Sequence, residues 1–135
     1  LYTKASLGLK KYAEALRGAK AILELEENPY RKAEALYFKS QAHNGLKQFD
    51  EARLAASDAL NLRPAGALDI QLRMFAGDID ITAKKPEAAI RHYIIVESTF
   101  AKSTDDKREA LSKVISTLKM IGTPKALELL KDYQQ

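Results

Sequence analysis

Apolar residues in this chain recur at three- and four-residue intervals, in stretches broken by glycine, proline and polar turns. Tyr12, Ala15, Leu16, Ala19, Ile22 and Leu23 form the first complete stripe, the signature of an amphipathic helix with one buried face. Asn28-Pro29 is expected to stop that helix, because a residue before proline is pushed out of the α region. A second helix is expected from Lys32 to Asn44, with Ala35, Leu36, Lys39, Ala42 and His43 on one side and Gly45 as its left-handed cap. A third runs from Phe49 to Leu62, with Phe49, Ala52, Ala56, Ala59 and Leu60 turned inward and Pro64 closing it. Leu1 to Leu9 reads as the tail of a helix that starts earlier, so the chain is expected to be a piece of a longer one.

The stretch from Ala67 to Ala83 is the most apolar. Leu68, Leu72, Phe75 and Ile79 share one helical face, and Ile70, Met74, Gly77 and Ile81 the opposite one, which predicts a helix packed on both sides. Lys85-Pro86 opens the next helix, with Pro86 at the first helical position and Ala89, Ile90, Tyr93, Ile94, Val96 and Phe100 facing the core. Ser103-Thr104-Asp105-Asp106 supplies hydroxyl capping and negative charge for another helix start, followed by Leu111, Val114, Ile115, Leu118 and Ile121. Gly122-Thr123-Pro124 reads as glycine C-cap, threonine N-cap and first-turn proline. A terminal helix then carries Ala126, Leu127, Leu130 and Tyr133. No segment reads as a strand.

A longer period lies over the helical one. Ala15, Ala52, Ala89 and Ala126 are spaced 37 residues apart, and their surroundings repeat with them. Gly8-Leu9-Lys10-Lys11-Tyr12-Ala13-Glu14-Ala15 is echoed by Gly45-Leu46-Lys47-Gln48-Phe49-Asp50-Glu51-Ala52. Lys84-Lys85-Pro86-Glu87-Ala88-Ala89 and Gly122-Thr123-Pro124-Lys125-Ala126 are weaker copies. A fixed period of this length marks an array of stacked helical units, which presents a surface more often than a reaction centre.

Composition agrees with an all-helical chain. The 135 residues suffice for one domain, divided by the repeat into 1–27, 31–64, 67–101 and 105–135. Cysteine is absent, which removes disulfides and thiolate metal sites. The net charge of +4 comes from scattered basic residues, with doublets such as Lys10-Lys11 and Lys84-Lys85 and no run. A nucleic-acid surface gathers its cations on one face with aromatics among them, so this charge reads as a solvated surface. Binding of nucleic acid or another polyanion is the lesser alternative. No stretch approaches the length of an apolar membrane span.

Candidate chemistry is sparse. His43 is expected to be packed and hydrogen-bonded. His92 is flanked by Glu87 and Glu97 without a metal-ligand spacing. Asp78 and Asp80, two apart on a helix, point in different directions, although Asp78 could face a groove. No serine sits in a nucleophile turn, and no glycine-rich phosphate loop exists. A non-enzyme without cofactor or metal is expected.

Ala33 to Pro64 resembles a tetratricopeptide repeat. Phe49-Asp50-Glu51-Ala52, the small residues Ala52, Ala56 and Ala59, then Leu60, Leu62 and Pro64 carry the likeness. Alanine at the crossing lets two helices approach closely. The first helix departs from the pattern, with Leu36, Lys39, Ser40 and His43 where the family prefers tryptophan, leucine, glycine and tyrosine. The resemblance implies a right-handed α-solenoid of antiparallel helix pairs, with about three and a half repeats. It also implies a concave groove for a peptide or a partner helix. Carried over, the groove comprises Glu34, Tyr37, Phe38, Gln41 and Asn44, then Gln71, Met74, Phe75 and Asp78, then Arg108, Leu111, Ser112 and Ile115. Packing inside the fold is the competing role for Phe38 and Met74, and the preferred one for Phe75, Leu111 and Ile115. Tyr37, Gln41, Phe38, Gln71 and Phe75 stand where chaperone-binding members hold a constellation of lysine, asparagine and arginine for a terminal carboxylate, and the absence of cations there disfavours that function. The lysine- and alanine-rich units are similar to bacterial proteins of this family, including envelope proteins, which places periplasm or envelope ahead of cytoplasm. Self-association through the broken first repeat is a third reading, and the oligomeric state is open.

Overall fold

Every described residue that belongs to a regular element is helical, in a computed structural model that describes residues 11–100 and 104–134. The order is α1 (Tyr12–Leu25), α2 (Pro29–Gly45), α3 (Phe49–Asn61), α4 (Ala67–Thr82), α5 (Pro86–Ile95), a π-helical turn (Val96–Phe100), α6 (Thr104–Ile121) and α7 (Pro124–Gln134). The all-α expectation holds for these residues. The predicted helix tail over Leu1–Leu9 and the capping role of Ser103 lie outside the described residues, as does the Phe100 side chain.

Contacts divide the chain after Leu72, inside α4. In the first unit α2 packs against both α1 and α3. Ala33, Ala59, Leu68 and Leu72 form its core, with Leu36, Tyr37 and Leu60 packed on them. In the second unit α6 packs against α5 and α7. Its core is Ala89, Tyr93, Val114, Leu118, Ala126 and Leu130, covered by Met74, Ile81, Ile90 and Ile94 among others.

The 37-residue period is a period of environments. Ala15, Ala52, Ala89 and Ala126 are all buried, each in the first turn or so of its helix. Ala19, Ala56, Tyr93 and Leu130 form a second buried series at the same spacing, and His43, Asp80 and Thr117 a third that is polar. Ser40, Gly77 and Val114 form a fourth.

The connections repeat too. Leu46, Lys47 and Gln48 donate their backbone N–H groups to Ala42, Asn44 and His43, and Ala83, Lys84 and Lys85 donate to Ile79, Ile81 and Asp80. Both are the closing bonds of a Schellman turn. Lys47 (φ 61°) and Lys84 (φ 62°) hold its left-handed position. At the last turn that position moves one residue on, to Gly122 (φ 69°). Thr123 Oγ1 there accepts from the Ala126 N–H at 3.1 Å, so the predicted glycine cap and threonine N-cap are both present.

Several local expectations are corrected. Gly45 is the last residue of α2, and Lys47 takes the left-handed turn instead. Gly45 lacks a side chain for a tertiary reason: a Cβ there would overlap the Tyr12 ring. Asn28-Pro29 starts a helix. Its Oδ1 accepts from the N–H groups of Tyr30 (2.9 Å) and Arg31 (3.2 Å), and Pro29 occupies the first turn. Helix α2 therefore begins three residues earlier than expected, and α1 ends at Leu25. Ile22 and Leu127 are exposed although their stripes placed them inward, while Ala33, Ala55 and Ala110 are buried.

The crossing of α2 and α3 explains why alanine is needed there. Ala52 is fully buried, and the fully buried Ser40 hydroxyl donates to its carbonyl at 2.7 Å, which satisfies a polar group that would otherwise be costly. Ala52→Leu is expected to overpack this crossing and cost about 1–3 kcal/mol. Urea denaturation followed by circular dichroism measures it, and an unchanged midpoint would contradict the close crossing.

Candidate functional site

Each unit holds a concave site. The first is a cleft of about 440 Å3 between α2 and the start of α4. Tyr30, Glu34, Tyr37, Phe38 and Gln41 line it from α2, and Ala67, Leu68 and Gln71 from α4. The α2 residues follow one another at helical spacing, so they share a face. Tyr37 and Phe38 lie nearly parallel, at 15° with ring centroids 6.3 Å apart. Tyr37 also packs on the first core, which anchors its ring, whereas Tyr30 is half exposed. Gln41 and Gln71 add amides able to donate and accept.

The second site, of about 390 Å3, is lined by Asp78, Ile81, Tyr93, Lys113, Ser116, Thr117 and Met120. Asp78, Tyr93 and Lys113 are committed to one another. Tyr93 donates its hydroxyl to Asp78 Oδ1 at 2.6 Å, and Lys113 Nζ donates to the same oxygen at 2.6 Å. The Lys113 ammonium also stands 5.6 Å from the Tyr93 ring centre, within cation–π range. Burial, then the hydrogen bond to Asp78 and the nearby carboxylates, push the Tyr93 phenol far above its ordinary range, so it stays a protonated donor. An ion pair this exposed adds little stability.

No protein-family model and no curated protein matches this chain.

Of the residues expected in a groove, Glu34, Tyr37, Phe38, Gln41 and Gln71 are brought together in the first cleft. Asp78 lines the second site instead of the first cleft. Met74 covers the second core, and so does Ile115. Asn44 is half-buried and Arg108 exposed, and neither lines a described cavity. His43 is buried, with Nδ1 2.7 Å from Gln48 Oε1, the packed role expected of it. Asp80 of α4 stands 3.8 Å from His92 Nε2. No group of three or more metal-ligating side chains occurs among the described residues. None of their helices is long and apolar enough to cross a membrane.

Tyr30 was missing from the expected groove because Asn28-Pro29 read as a terminator, which put the residue outside a helix. A capping reading of Asn28 would have placed it one turn before Glu34 on the same face. Lys113 and Tyr93 reach Asp78 across 35 and 15 residues of chain, and no local signal links them.

Proposed function

We propose that the chain is a non-catalytic interaction module of tetratricopeptide type, an α-solenoid that receives an extended peptide or partner helix from another protein. One observation carries the reading: the cleft between α2 and α4 gathers aromatic rings and two amide side chains in one lining. Aromatic residues contribute large contact area at low entropic cost, and amides can pair with a peptide backbone. The 37-residue recurrence of buried positions supports the repeat architecture. A bacterial envelope setting is part of the same proposal and rests on the texture of the repeats alone.

Tyr37 packs on the core, so its truncation would mix stability with binding. Gln41 and Gln71 are better probes. Gln41→Ala with Gln71→Ala is expected to leave unfolding unchanged within about 0.5 kcal/mol. It should weaken peptides selected on the wild-type protein from a random dodecapeptide display by on the order of tenfold. Fluorescence anisotropy on those peptides measures the loss. Equal affinity for the double variant would remove the cleft from the binding surface.

A further inference from the structure

We infer that the occupant of the α2–α4 cleft presents a lysine or arginine side chain, seated beside Glu34 and the aromatic faces of Tyr30 and Tyr37. This deepens the peptide-binding proposal and rests on it. Among the described residues that line the cleft, Glu34 is the one charged residue and none is basic. Three aromatic side chains surround it in the lining, and the negative face of an aromatic ring attracts a cation. In a chain of net charge +4, the cleft is thus locally suited to the opposite sign from the molecule as a whole.

The two helix starts near the cleft would otherwise favour an anion, because N-terminal backbone N–H groups carry partial positive charge. At α2, Asn28 Oδ1 already accepts from Tyr30 and Arg31. At α4, Asp69 sits in the first turn and opposes the same charge. The neighbouring Arg31 guanidinium pairs with Glu26 at 3.8 Å and is not part of the lining. The lining therefore offers a ligand one carboxylate, aromatic surface and two amides. A guanidinium or ammonium group on an otherwise neutral, extended segment complements that set. An acidic segment would place its charge against Glu34 and the ring faces.

The test is a display of random dodecapeptides on the intact protein, followed by titration of the selected peptides. Enrichment of lysine or arginine at one position is expected. Replacing that residue by citrulline or norleucine should weaken binding on the order of fivefold to tenfold. Glu34→Gln should bring the charged and neutral peptides close to equal affinity while its circular dichroism matches the wild type. Selected peptides that perturb the amide resonances of Gln41 and Gln71 equally well without the cation would overturn this inference and leave the peptide-binding proposal standing. Enrichment of aspartate or glutamate would overturn it as well. Failure of every peptide to perturb the cleft would overturn the peptide-binding proposal and this inference with it.

Discussion

Replacing Tyr93 with alanine is expected to destabilise the second unit by about 3–5 kcal/mol. The ring is 2% exposed and packs among Ala89, Val114, Leu118, Ala126 and Leu130. Four of those neighbours come from helices other than its own α5, and an alanine would leave a cavity they cannot fill without moving. The variant also loses the bond to Asp78 and the ring under Lys113. Those losses are smaller, because Asp78 keeps Lys113 and can rehydrate. Tyr93→Phe, which removes only the hydroxyl, should therefore cost about 0.5–1.5 kcal/mol. Native-state hydrogen exchange of the α5 and α6 amides separates this unit from the other. A loss below about 1 kcal/mol for the alanine variant would mean that the ring is not a core residue.

Gly77→Val should cost about 3 kcal/mol, at the upper end of overpacking effects. Gly77 is buried in α4, and a Cβ there would overlap the Tyr93 ring. That ring cannot swing aside cheaply, since its hydroxyl is held by Asp78 at 2.6 Å and its body is enclosed. Glycine is ordinarily unfavourable inside a helix by about 1 kcal/mol relative to alanine. Relief of that penalty would make the valine variant neutral or better if no ring stood in the way. The double variant Gly77→Val with Tyr93→Leu should recover at least about 1 kcal/mol relative to the sum of the single changes, the mark of two side chains sharing one volume. Additive behaviour in urea unfolding would show that the two positions do not meet.

The same pair illustrates how far a repeat can be read. Ala52 and Ala89 signal close helix crossings by their size and spacing, and both are buried. At the two next positions of the motif the second and third repeats diverge. Ser40 and Ala56 are both small, whereas Gly77 and Tyr93 are the smallest and one of the largest side chains. All four positions are buried although the residue types differ, and a search for repeated residue types passes over that. The cleft shows a similar split. Glu34, Tyr37, Phe38 and Gln41 are expected together only from the family resemblance, and helical spacing agrees by placing them on one face of α2. That Gln71 faces them, that Met74 is absorbed by a core, and that Arg108 lines neither cavity depend on how α4 and α6 are packed.

Local order in this chain is encoded locally. The three- and four-residue periodicity, the prolines and the capping residues are sufficient for a helical reading, because each acts within about one turn. They also reveal the 37-residue recurrence, since equal spacing of small residues needs no knowledge of their neighbours. Packing decided the rest: that Gly45 gives way to the Tyr12 ring and leaves the left-handed turn to Lys47, that Asp78 meets Lys113 and Tyr93, and which faces enclose a cleft. Those outcomes depend on volume and charge brought together from distant parts of the chain, and no window of neighbouring residues contains both partners.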